Sequence, residues 1–364
     1  MSKKFQLAVV IGRFQPFHNL HKQLIDYALG LADKVIVVLG SHRTAPDIKN
    51  PFSAMEREAM IQGCFHASDR GRLLFRPVRD HFYAENQWIA EIQNIVREAQ
   101  EDVLEEKGVE YHDVQHNCAL MDVKVALVGH MKDATSYYLK LFPQWTYEPM
   151  YVHGGESKAL SATDIRTLLF EGDRYEQFVP QSVASALDYF KKTQPYIDLK
   201  KEYNFHKQYK ADTRFVGVPY DPVFVTTDAV VTAMGHVLVV RRGFNPGKGL
   251  YALPGGFIQP DLSLVDNAIK ELKEETKIKV NGEVLKSRIK ASHVFDHPYR
   301  SLRGRTITHA YHFDLNPNMI DGLPIVKGGD DADKAQWIPI SSIADYEDKF
   351  FEDHHSILRF FLGV

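Results

Sequence analysis

The sequence predicts an α/β protein of two domains, the first built on a doubly wound parallel sheet. Three observations carry this. Two apolar runs, Ala8-Val9-Val10-Ile11 and Val35-Ile36-Val37-Val38-Leu39, lack the alternation of a half-solvated strand, as expected where both faces are covered. Between them Leu24, Ile25, Ala28, Leu29 and Ala32 recur at helical spacing. At 364 residues the chain exceeds what one hydrophobic core normally sustains.

The first strand ends in a polar turn, Gly12-Arg13-Phe14-Gln15-Pro16-Phe17-His18-Asn19-Leu20-His21, which opens the helix. In an open α/β sheet, nucleotides bind beyond the strand ends, where a helix N-terminus faces the phosphates. Nucleotidyl transfer builds negative charge on phosphoryl oxygens and asks the protein for alignment and fixed positive donors. His18 and His21 can donate to phosphates, Arg13 can pair with one bidentately, and Gly12 permits close backbone approach.

These residues resemble the first signature of the nucleotidyltransferase superfamily, in its archaeal-type nicotinamide-mononucleotide (NMN) adenylyltransferase form. Leu20 stands where that signature usually has glycine. The resemblance implies a Rossmann-like sheet and adds Phe14 to the nucleotide-binding set.

The second strand ends at Gly40-Ser41-His42-Arg43, and Asn50-Pro51-Phe52-Ser53 leads into a helix with Ser53 and Glu56 spaced as a capping box. By itself Arg57 reads as a salt-bridge residue, but the resemblance places Asn50 and Arg57 near the active site. After the third strand, Leu73-Leu74-Phe75, it assigns Asp80, Asn86 and Trp88 to recognition of the nicotinamide end, where an indole face can stack on a cationic ring. Residues 98–117 are charge-rich and read as a solvated helix and loop. Val123 to Val128 is the fourth strand; Gly129, Lys132 and Asp133 follow at a helix start as candidate nucleotide contacts. Leu160-Ser161-Ala162-Thr163-Asp164-Ile165-Arg166 is a capped helix start that matches the family's second motif. Ser161, Thr163 and Arg166 then form the expected clamp for the β- and γ-phosphates.

Composition shifts to charged and aromatic after Gln181, so the domains are expected at 1–185 and 205–364 with a connection at 186–204. In the second, Val223 to Met234 and Val237 to Arg241 read as a hairpin turning at Gly235-His236. A glycine turn, Gly255-Gly256, precedes a helix whose Glu271, Glu274 and Glu275 lie on one side. Magnesium or manganese would offset their repulsion, as would the lysines Lys270, Lys273 and Lys277 of the same helix.

Gly256 to Ile278 resembles the Nudix box at unbroken spacing, with Leu262, Lys270 and Lys277 in place of its first Glu, its Arg and its last Gly. The resemblance implies an α/β/α Nudix sandwich holding Mg2+ (or Mn2+) through Gly255, Glu271 and Glu275, with Glu274 also catalytic. Asp330 or Asp331 is a candidate general base, Asp331 being the one assigned, and Arg300, Arg303 and Arg305 could neutralise a diphosphate.

Taken together, the chain is similar to bifunctional NMN adenylyltransferase and ADP-ribose pyrophosphatase fusions. This implies ATP, NMN, NAD and ADP-ribose as partners. Two alternatives stay open: a different phosphorylated acceptor for the first domain, and a second domain that binds ADP-ribose without hydrolysing it. A net charge of −3 gives no global basic field for nucleic acid. Two cysteines, Cys64 and Cys118, argue for a reducing compartment. With no signal peptide and no apolar run near ~18 residues, a cytoplasmic protein without membrane contact is expected. Homo-oligomerisation is left open.

Overall fold

The computed structural model describes residues 3–108, 120, 122–131, 134–151, 161–211, 217, 219–316, 322–329 and 332–364. The chain forms two compact units, Met1–Asp198 and Leu199–Val364.

The first unit is a five-stranded sheet of β1 (Phe5–Gly12), β2 (Ala32–His42), β3 (Leu73–Arg79), β4 (Val125–Gly129) and β5 (Thr146–Pro149). The spatial order is β3-β2-β1-β4-β5 and every pairing is parallel. Strand order reverses between β1 and β4, and the loops that open a crevice there follow β1 and β4. The continuous apolar runs are explained by burial on both faces. Leu7, Val9, Ile36, Val38 and Leu127 join one core with Ile92 and Val96 of a long helix, while Ala8, Val10, Val35 and Val37 point the other way and are also buried.

Among the described residues the α-helices of this unit include α1 (Asn19–Leu31), α2 (Ala54–Gln62), α3 (Ala67–Arg70), α4 (Glu85–Glu106), α5 (Ala162–Glu171) and α6 (Gln181–Phe190). The expected capping box at Ser53 and Glu56 is formed in full. Strand β5 carries too few apolar residues to signal itself; it exists because β4 offers an edge to Thr146–Pro149. Helix α7 (Gln194–Lys210) continues through the segment whose composition suggested a connection.

The second unit is a mixed sheet of order β10-β11-β6-β7-β12. Its strands are β6 (Val223–Ala233), β7 (His236–Arg242), β8 (Tyr251–Ala252), β9 (Gly255–Phe257), β10 (Ile289–Phe295), β11 (Arg305–Asp314) and β12 (Ala332–Pro339). The hairpin turns at Met234-Gly235, both with positive φ, one residue earlier than the sequence suggests. Helix α8 (Leu264–Thr276) buries Ala268, Ile269 and Leu272 against Ala229, Val231, Leu238 and Phe313. Short α9 (Gly282–Ser287) and terminal α10 (His354–Leu362) complete the unit. The same amphipathic stripe that buries α8 turns its carboxylates toward β9. Among the described residues no helix is long and apolar enough to cross a membrane.

Candidate active sites

In the first unit the loop after β1 is bent by Phe14, whose backbone takes a left-handed φ of 52°. Its ring packs so closely over Gly12 that a Cβ there would meet it at 2.9 Å, which is why glycine ends the strand. Phe14 is buried, and its ring shapes the loop. His18 is the N-cap of α1, its Nδ1 accepting from the His21 N–H at 3.4 Å. With Nδ1 accepting, a neutral His18 ring carries its proton on Nε2. The two imidazoles stack with centroids 3.5 Å apart. Burial, with the neighbouring His18, holds His21 well below the ordinary histidine range, so the rings stack without mutual repulsion. His21 Nδ1 is buried without a protein partner. Leu20 has ordinary helical geometry within α1, so the glycine of the family signature is not needed for backbone reasons.

Two arginines occupy this loop's base. Arg57 donates to the carbonyls of Arg13 and Gly40, both at 2.6 Å, and to that of Ser53 at 3.2 Å. Arg166 donates to the carbonyls of Gln15 and Ile48 and to Thr163 Oγ1. Both guanidinia donate to backbone carbonyls and so tie the loops after β1 and β2 together. Burial, with the charge of exposed Arg13 adding, lowers both to about 10, so they stay cationic at neutral pH. Arg13, Arg57 and Arg166 thus concentrate positive charge where β1 and α1 meet.

Other expected residues have structural duties. Ser161 caps α5 in a capping box with Asp164, and Thr163 holds Arg166. Asp80 accepts from the Ser41 N–H and hydroxyl, fixing a loop in which Ser41 and Arg43 have positive φ. Asn50 Oδ1 is buried with no partner. Asn86 is exposed near the start of α4. Trp88 is half-buried against Tyr138 and Phe142, so part of its area goes to the core. At Gly129 a Cβ would meet Leu139 at 2.5 Å, so glycine lets that side chain pack against the strand end. Lys132, Asp133 and Leu160 lie outside the described residues.

In the second unit, β9 places Gly255 and Gly256 against α8. The Gly255 N–H donates to Glu275 Oε2 at 3.1 Å. A Cβ on Gly256 would stand 2.6 Å from Glu271 Oε2, so only glycine lets the carboxylate lie on the loop. Burial, with Glu271 and Asp228 adding, pushes Glu275 up to about 8 against the Gly255 N–H and Arg242. Lys270 Nζ reaches Glu271 Oε1 at 3.3 Å and Glu274 Oε2 at 2.5 Å, linking the two carboxylates from the position of the box arginine. Lys277 ends α8 with φ 52°, a left-handed cap that favours glycine.

The fit to a divalent ion rests on this donor set. Hard carboxylate oxygens and the Gly255 loop share one place, and burial there disfavours negative charge unless a cation accompanies it. Among the described residues no three acidic, histidine or cysteine side chains close on a single point. Asp330 and Asp331 lie outside the described residues.

Of the three expected diphosphate arginines, Arg300 is the most buried. It is 4% exposed and forms a bidentate pair with Asp353 at 2.7 and 2.8 Å, so it braces the fold. Arg305 is held by the Asp296 carbonyl and lies 3.8 Å from its carboxylate. Arg303 lies 5.3 Å above the ring of exposed Phe257, one residue beyond the glycine pair, and its guanidinium is 3.5 Å from the Glu352 carboxylate.

Two supports were missed in the sequence. Asn267 is fully buried on α8, accepting from the Gln259 N–H and donating to Thr227 Oγ1, which locks the glycine loop to β6. Its signal was an amide inside an apolar helical stripe. Asp228 on β6 had no signal beyond a lone acid in a strand.

Fold and sites define a nucleotidyl-transfer domain followed by a metal-dependent phosphohydrolase domain. A cytidylyltransferase-like family model matches residues 9–168, and a NUDIX domain model matches residues 223–361. The nicotinamide/nicotinic acid mononucleotide adenylyltransferase of Acinetobacter baylyi is 36% identical over 200 residues, 55% of this chain and 94% of that protein. The ADP-ribose pyrophosphatase of Methanocaldococcus jannaschii is 29% identical over 135 residues, 37% of this chain and 70% of that protein. A crystal structure of a bifunctional NMN adenylyltransferase/ADP ribose pyrophosphatase from Francisella tularensis, complexed with AMP and a manganese ion, is 34% identical; the match covers 99% of both chains with a TM-score of 0.86. The chain belongs to this family of bifunctional NMN adenylyltransferase/ADP-ribose pyrophosphatases.

Proposed function

We propose that the first unit transfers AMP from ATP to nicotinamide mononucleotide, giving NAD and pyrophosphate. The second hydrolyses ADP-ribose to AMP and ribose 5-phosphate. The observation that carries the first reading is the stacked His18–His21 pair at the N-terminus of α1, beside Arg13. A phosphate oxygen of NMN attacks the α-phosphorus of ATP and the bond to pyrophosphate breaks. His18 Nε2–H, His21 and Arg13 would stabilise the charge that develops, with no covalent enzyme intermediate. Arg57 and Arg166 keep the loop in shape by holding its carbonyls.

For the second reaction, Glu271, Glu275 and the Gly255 loop would hold the metal, for which we propose Mg2+ or Mn2+. When bound, such an ion polarises a diphosphate and activates water. Lys270 spaces Glu271 and Glu274, and Arg303 would meet the diphosphate. We take residues 1–185 and 205–364 as the functional domains, and the cytoplasm as the site of action.

Product analysis of the purified protein tests both readings. Incubation with ATP, NMN and Mg2+ should yield NAD, and incubation with ADP-ribose and Mg2+ or Mn2+ should yield AMP. NAD without AMP, with ADP-ribose still bound, would instead make the second unit a sensing module.

A further inference from the structure

The glycine loop of the second unit is approached by a carboxylate that the Nudix box does not contain. Asp228 lies on β6 directly opposite Gly255 of β9 and is 5% exposed. Its Oδ2 accepts from Thr308 Oγ1 at 2.6 Å. No donor among the described residues reaches its Oδ1. That oxygen faces the loop: a Cβ on Gly255 would stand 2.5 Å from it, while the Gly255 N–H is given to Glu275. Arg300, buried nearby, pairs with Asp353 and also feels the charge of Asp228.

We propose that Asp228 Oδ1 accepts a hydrogen bond from water on the divalent ion held by Glu271 and Glu275, making Asp228 a positioning residue for that ion. This rests on the reading of the box carboxylates as its ligands. Outer-sphere partners of this kind orient ligands and set affinity. Thr308 fixes the carboxylate's rotation from the far side, so Oδ1 has one direction to face.

The test is Mn2+ titration of the full chain without nucleotide, following loss of the free-ion signal by electron paramagnetic resonance. Asp228→Asn is nearly isosteric and its amide oxygen can still accept from Thr308, but it presents N–H groups where Oδ1 was. Affinity should fall about 10- to 100-fold, with the melting transition kept. Glu275→Gln should abolish binding. If Glu275→Gln binds like wild type, the box reading itself fails. If Glu275→Gln loses binding and Asp228→Asn does not, only the role of Asp228 fails. Thr308→Val removes the Oδ2 donor and leaves Oδ1 in place; an equal loss in Thr308→Val and Asp228→Asn would show that Asp228 acts through the fold and overturn the proposal. Should Asp228→Asn lose cooperative melting, Asp228→Ser takes its place, and unchanged Mn2+ affinity there overturns the proposal equally.

Discussion

The backbone N–H of Gly255 donates to Glu275 Oε2 at 3.1 Å, joining the glycine loop to the carboxylate helix. The contact organises the second site in advance: the strand brings the loop, the helix brings the acids, and one hydrogen bond sets their register.

Glu275→Gln should reduce metal-dependent ADP-ribose hydrolysis by more than about a hundredfold, the scale expected when ion-borne stabilisation of several kcal/mol is lost. NAD formation by the same sample should be unchanged. Retained hydrolysis would refute the assignment of Glu275.

Lys270 contacts both Glu271 and Glu274 as a point charge on a flexible stem. Arginine offers a planar fork that holds two carboxylates in fixed geometry. Lys270→Arg should raise the hydrolytic rate a few-fold, and Lys270→Ala should lower it about tenfold or more, within the range for residues that orient metal ligands. Steady-state rates with ADP-ribose decide this, and an Ala variant as fast as wild type would exclude the orienting role.

His18 caps α1 through Nδ1, and the proposed mechanism uses its Nε2–H. His18→Ala should slow adenylyl transfer roughly 10²- to 10³-fold, the loss seen for a single transition-state donor, and destabilise the helix by about 1 kcal/mol. His18→Asn keeps a capping side chain and should recover the stability but not the rate. A rate within a few-fold of wild type in either variant would end the proposed role.

Lys277 sits at the C-terminal cap of α8 with φ 52°, a geometry that costs a side-chain-bearing residue about 1–2 kcal/mol. Lys277→Gly should raise the melting temperature of the second unit by a few degrees. Calorimetry would show it; a lower transition would mean that the contact of the lysine stem with Gly329 outweighs the relief.

His21, His312 and His354 are held below the ordinary value of 6.5, in each case first by burial. Lowered folded-state values mean that the unfolded chain takes up protons first. Their stabilising share is therefore full above pH 6.5 and is lost as pH falls through the folded-state values. His354 Nδ1 accepts from the Leu253 N–H at 2.9 Å, so protonation also ends a buried hydrogen bond. Denaturant midpoints measured from pH 7 to 5 should decline, and His354→Gln, which can keep that acceptor, should flatten the decline.

Much of this was legible from local pattern. The doubly buried strands, the capping boxes at Ser53 and the carboxylate face of α8 follow from periodicity and short-range hydrogen bonding, which the chain encodes within a few residues. Arg57, Arg166 and Arg300 were not legible in their actual duties. An arginine in a motif reads as a ligand for phosphate, yet their donors go to Gly40, Gln15 and Asp353, separated from them by many residues. Asp228 was silent for the same reason: its importance depends on Gly255, its partner across two strands.

The sequence by itself determined the strand and helix types, the two-domain order, the histidine pair and the glutamate triplet, because each is set by spacing along the chain. Tertiary structure alone decided which charged groups are free to act. Burial makes an unpaired donor or acceptor costly, so the folded chain commits Arg57, Arg166 and Arg300 to its own oxygens and leaves His21 Nδ1 and Asp228 Oδ1 without protein partners at the two sites.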